Sequence, residues 1–151
     1  TAKFGHAANA VYGRIAQAGD EAGIAFQFSD IQRTPDTRPL HKMLIAAGDA
    51  APMLSDAFYQ AYFLRGEDIS DDAVQNRLID EVSQINPRAL DARSPEKLTQ
   101  AQTRLDADLR YGQSIGIDGV PLMVFNDNFS LAGAYPPDIL LNAIDAAVQE
   151  H

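Results

Sequence analysis

Few residues in this chain have the type and spacing to do chemistry. His6, His41 and His151 stand singly, and no two share the spacing that puts paired ligands on one helix, so no metal site is expected. His151, at the very end, fits a tag remnant as readily as a native residue. Asp68, Asp71 and Asp72 are near enough for paired-acid chemistry. Ser70-Asp71-Asp72, however, reads first as a helix start, where short polar side chains cap free N–H groups and acids face the positive dipole end. None of Ser55, Ser70, Ser83, Ser94, Ser114 and Ser130 sits in a Gly-x-Ser-x-Gly elbow. His41, beside Leu40 and Met43-Leu44, is expected to be a half-buried structural histidine, since no partner marks it as a base. Cysteine is absent. That removes any thiol nucleophile, thiolate metal site or disulfide scaffold from these residues, and no catalytic residue is assigned.

One segment remains. Gly116-Ile117-Asp118-Gly119-Val120-Pro121 leads into the apolar run Leu122-Met123-Val124-Phe125. A proline that opens a strand behind a glycine-bearing turn suits a cis peptide bond. A trans proline beginning an edge strand fits the same residues.

The elements that must position this segment follow from apolar periodicity. Phe4, Ala8, Val11, Ile15, Ala18 and Ala22 form a helical stripe closed by Gly19 and Gly23. Ile24 to Phe28 alternates, as a short extended segment would. Asp36 or Thr37 can cap a helix with Pro39 in its first turn and Leu40, Met43, Leu44 and Ala47 inward, ended by Gly48. Pro52 helps begin the next helix, which buries Leu54, Ala57, Phe58, Ala61 and Tyr62 and stops at Gly66. Ser70 or Asp71 caps a helix carrying Val74, Leu78, Val82 and Ile85, and Ser94-Pro95-Glu96 opens the last long one, with Leu98, Ala101, Leu105 and Leu109.

After Ile115 the pattern changes. Leu122 to Phe125 reads as a strand buried on both faces, Asn126-Asp127-Asn128 as a turn, and Phe129 to Ala132 as the return strand. Pro136-Pro137-Asp138 then opens a helix that lays Ile139, Leu140, Ala143, Ile144 and Ala147 on the hairpin. The reading is a helical subdomain over residues 1–113 and a ββα portion over 114–151.

Composition sets outer limits. The chain has 151 residues, 46% of them apolar and 22% charged, as ordinary globular proteins do. A net charge of −9 argues against nucleic acid and against an anionic membrane surface as partners. No apolar run approaches the roughly 20 residues a membrane span needs. No secretory leader is visible, so a cytoplasmic location is expected, with the residues upstream of Thr1 left open.

The chain also resembles a known family. Arg33-Thr34-Pro35-Asp36-Thr37 with His41-Lys42, then Phe58 to Phe63 and Gly66-Glu67-Asp68-Ile69-Ser70-Asp71, look like the helical insertion of DsbA-like dithiol-disulfide oxidoreductases, nearest to their FrnE-type branch. Gly116 to Pro121, Val124-Phe125 and Gly133-Ala134-Tyr135-Pro136-Pro137 are similar to the second half of that family's thioredoxin fold. The resemblance implies an α/β, mostly helical architecture: an incomplete thioredoxin-like fold, β-hairpin plus C-terminal helix, with a large α-helical insertion subdomain. The strand–Cys-x-x-Cys–strand portion with which family members begin is missing here.

The resemblance further implies a parent thiol-disulfide oxidoreductase acting on protein or small-molecule disulfides, without a cofactor. It implies that Pro121 is the cis-proline and that Gly119, Val120 and Pro121 form the substrate-facing loop, the Val120 backbone pairing with an extended substrate. Lacking sulfur, this chain alone should be inactive. Two other readings compete: a glutathione-dependent enzyme of the 2-hydroxychromene-2-carboxylate isomerase or kappa-class transferase type, and a non-catalytic peptide-binding module. The open hairpin is expected to find a partner, either in a homodimer or in a retained N-terminal segment.

Overall fold

The computed structural model describes residues 6–149, with side-chain detail from Val11 onward. Phe4 and His151, and the side chains of His6 and Ala8, lie outside the described residues. Six α-helices and one hairpin are described: α1 (His6–Glu21), α2 (Arg38–Ala47), α3 (Ala51–Tyr59), α4 (Asp72–Ser83), α5 (Pro95–Ser114), β1 (Leu122–Phe125), β2 (Phe129–Ala132) and α6 (Pro137–Gln149). The chain divides into two compact units between Asp106 and Ala107, inside α5.

In the first unit, local chemistry fixes several of the helix ends. Asp36 Oδ1 accepts from the Arg38 N–H at 3.0 Å while Thr37, at the cap position, makes no side-chain bond. Asp71 caps α4 by accepting from Ala73 N–H at 2.7 Å. Asn86 does the same for a 3-10 turn over Pro87–Arg93, an element that periodicity did not reveal. Gly48 ends α2 at φ 59°. Gly66, at φ 64°, follows a single π-helical turn, Gln60–Leu64, and a Cβ there would lie 2.4 Å from the Cβ of Asp30. Only glycine suits both demands.

The core runs through α2, α3, α4 and the 3-10 turn: Leu40, Leu54, Phe58, Ile69, Leu78, Ile79 and Val82, with Ala47, Ala50, Ala61, Ala89 and Ala92 fully buried between them. These alanines let the backbones approach closely, so the larger side chains interdigitate. Gln75 is the one buried polar side chain among the described residues, and its amide donates to the Ile69 carbonyl at 2.9 Å. Several expected inward positions differ. Ile85 is 73% exposed beyond the end of α4, and Leu109 is also exposed. In α1, Val11, Ile15 and Ala18 are exposed, as is Ala22 just past its end, and Gly19 is buried instead, where a Cβ would lie 2.5 Å from the Phe26 ring. Ile24 to Phe28 joins no sheet; the Gln27 N–H donates to the Phe63 carbonyl at 2.7 Å.

In the second unit the hairpin is antiparallel, with Leu122 opposite Ala132 and Phe125 opposite Phe129. Asn126 and Asp127, at φ 50° and 55°, supply the left-handed pair of a tight hairpin turn, closed by Asn128 N–H donating to the Phe125 carbonyl at 3.0 Å. The rings of Phe125 and Phe129 stack at 5.0 Å. The expected double burial of β1 is not observed: Val124 is 45% exposed and its neighbours are half-buried. The physical reason is that, within this unit, a sheet of two strands has only α6 to cover it. Helix α6 buries only Ala143 and Ala147, while Ile139 and Ile144 are exposed.

Candidate substrate-binding loop

Gly116 to Pro121 connects α5 to β1. Gly116, at φ 72°, turns the chain off α5, and Ile117 N–H donates back to the Gly112 carbonyl at 3.0 Å. At the other end the hairpin anchors the loop. The Gly133 N–H donates to the Pro121 carbonyl at 2.8 Å, one step beyond the Leu122–Ala132 pair. Between these anchors stand Gly119, Val120 and Pro121, all exposed, with the Val120–Pro121 peptide bond cis.

Val120 is 89% exposed, more than any other large apolar side chain described. Among the described residues its N–H and C=O have no hydrogen-bonding partner. A Cβ at Gly119 would meet nothing within 4 Å. The three residues therefore present an open stretch of backbone with one free donor and acceptor pair and an apolar side chain. That arrangement can hold an extended segment by main-chain bonds. It has no group to make or break a covalent bond.

The other sequence candidates lie in the helical unit and have structural work. Asp68 accepts from Ser70 and pairs with Arg33. The Ser70 hydroxyl first, then Arg33, holds the Asp68 carboxyl below its ordinary range. Burial opposes the charge on Glu67, but Arg65 and Arg77 together outweigh it and hold that carboxyl low as well. Asp71 is a cap and Asp72 sits in the first turn of α4. His41 is exposed rather than half-buried, because α2 turns Leu40 inward and leaves the next position at the surface. No three His, Asp or Glu residues gather as metal ligands among the described residues. No described helix is long and apolar enough to cross a membrane.

Phe58, Tyr59, Tyr62 and Phe63 form an aromatic cluster that is only partly buried. Phe58 is buried, but Tyr59 is 63% exposed and stacks on Phe63 at 5.8 Å, and Phe63 in turn meets Tyr62, Phe26 and Phe28. Tyr62 donates its hydroxyl to the Arg33 carbonyl at 3.3 Å, and burial pushes its pKa up. Ser55 joins this region on the wall of an apolar cavity. Sequence reading set Ser55 aside because it lies in no Gly-x-Ser-x-Gly elbow.

A helical insertion followed by a β-hairpin and a closing helix, with a proline-headed first strand, defines an incomplete thioredoxin-like fold. The model of the DSBA-like thioredoxin domain family matches residues 5–145, and the chain belongs to that family. No curated protein and no solved structure gives a match. The absence of cysteine agrees with the absence of a Cys-x-x-Cys.

Proposed function

We propose that this chain is the substrate-holding portion of a DsbA-like thiol-disulfide oxidoreductase of the FrnE type, with Gly119, Val120 and Pro121 as the loop that receives an extended disulfide substrate. The observation that carries it is the exposed, hydrogen-bond-free backbone of Val120 at the head of the hairpin in a chain of this family. A thiolate supplied from outside these residues would attack the substrate disulfide, displacing one sulfur as thiolate and forming a mixed disulfide; a second thiol would resolve it. The loop's share is to fix the substrate backbone so that the attacked sulfur stays in line. Insulin reduction by the natural protein that carries these residues tests this: turnover with a thiol reductant is expected, and its absence would contradict the reading.

One observation favours a second reading. The chain offers a place to hold a peptide and no sulfur to react with it. A peptide-binding module without chemistry predicts that peptides bind equally well in reductant and that the natural protein leaves insulin untouched.

A further inference from the structure

We infer that Asp118 makes the Val120 loop selective for a basic substrate segment, one with Lys or Arg beside the residue that pairs with Val120. The inference rests on the reading of Gly119 to Pro121 as the substrate-facing loop and adds the charge of what that loop receives. Asp118 lies two residues before Val120, so their Cα atoms are at most about 7 Å apart. It is exposed, and among the described residues its carboxylate has no ion pair and no hydrogen bond. Glu67 and Asp68, by contrast, are each held by arginine. The charge of Asp118 is free to act on what the loop binds.

The rest of this unit acts in the same direction. After Arg110 no Lys or Arg occurs to the end of the chain, whereas Asp118, Asp127, Asp138, Asp145 and Glu150 do. The other basic side chains, from Lys3 to Arg104, belong to the helical unit. An acidic substrate group therefore meets repulsion from this unit and no cation after Arg110 to pair with. A basic one meets Asp118 within the roughly 10 Å over which charges act at 0.1 M salt. The free N–H and C=O of Val120 accept any extended segment, because every substrate residue other than proline carries the matching pair. Its apolar side chain is equally indifferent to charge. Discrimination by sign falls to Asp118, as much through repelling the wrong partner as through attracting the right one.

Three disulfide-linked peptides test it, alike except for Lys, Ala or Glu beside the half-cystine, reduced by the natural protein that carries these residues with a thiol reductant. At low salt kcat/KM should be about three- to eightfold higher for the Lys peptide than for the Glu peptide, with the Ala peptide between. Raising NaCl to about 0.5 M should bring that ratio near one. Asp118→Asn should at least halve the ratio and Asp118→Lys should invert it. Asp118 is exposed and its side chain bonds to nothing described, so both variants should fold, and circular dichroism verifies this. The ratio is taken within each variant, so a general loss of activity does not imitate the result. Equal kcat/KM for the Lys and Glu peptides, or a preference that Asp118→Asn leaves intact, would overturn the inference and leave the loop reading standing. No turnover of any of the three peptides would overturn both.

Discussion

The side-chain amide of Asn126 donates to the main-chain carbonyl of Ala147 at 2.6 Å, tying the tip of the hairpin to the last turn of α6. The same residue supplies the left-handed backbone of the turn, at φ 50°. One asparagine thus satisfies a helix-end carbonyl that has no partner within its helix and shapes the reversal. Asn126→Gly should keep the turn and lose the tie, at a cost of about 1 kcal/mol. Asn126→Ala should lose both and cost about 1–2 kcal/mol more. Hydrogen exchange of the hairpin amides checks the order: protection highest in the parent, lower in the glycine variant, lowest in the alanine variant.

Two glycines with similar backbones should respond differently to alanine. Gly66 and Gly116 have φ values of 64° and 72°, but the added methyl would meet Asp30 at the first and open space at the second. Gly116→Ala should therefore cost only the conformational penalty, about 1 kcal/mol. Gly66→Ala adds a clash with a backbone-linked Cβ that cannot swing away, and about 3 kcal/mol or more in total is expected. Urea denaturation of the two variants separates them.

The acid limb of stability should depend on Glu67 and Asp68. Both carboxyls are held below their unfolded values by neighbouring donors. A depressed carboxyl stabilises the fold above its unfolded pKa, about 4, and that contribution disappears as pH falls through the folded value. Stability from these groups is therefore full at neutral pH and fades below about pH 4. Glu67 is partly exposed and its partners more so, which limits its share to about 1 kcal/mol. Glu67→Gln should lower stability at pH 7 and leave it little changed at pH 3 in parallel urea titrations.

Helix α6 carries Leu141, Ile144 and Val148 on one stripe, at 60%, 48% and 68% exposure. In a preparation of the chain alone, the partner available to cover them is a second copy. Light scattering across a concentration series should show a dimer forming. Leu141→Lys with Val148→Lys should return the chain to a monomer, and a strict monomer in the parent chain would defeat this expectation.

Where the sequence could be read, a local rule and the tertiary context agreed. Asp71 and Ser94 stand at helix starts because capping is decided by a few neighbouring residues. The hairpin was legible from Asn126-Asp127-Asn128 for the same reason. Burial was less legible. Ile85, Leu109 and Ile144 share the spacing of their buried neighbours, but periodicity names a face without saying how far the covering elements extend. The α1 stripe misled because the ring of Phe26, five residues past that helix, claims Gly19 instead. The turn from Gly116 to Pro121 stood out from its own residues, but its reading as a substrate-facing loop came only from family likeness, since a valine before a proline carries no binding signal of its own.

The central claim is that Val120 lends its backbone to a disulfide substrate. The most direct measurement is insulin reduction by the natural protein carrying these residues, with Val120→Pro beside Val120→Ala. Proline removes the N–H that would pair with substrate, whereas alanine keeps it. The account predicts that kcat/KM falls about tenfold or more in the proline variant and by much less in the alanine variant, while the 151-residue chain shows no activity. Equal rates for the parent and Val120→Pro would contradict it, as would turnover by the cysteine-free chain on its own.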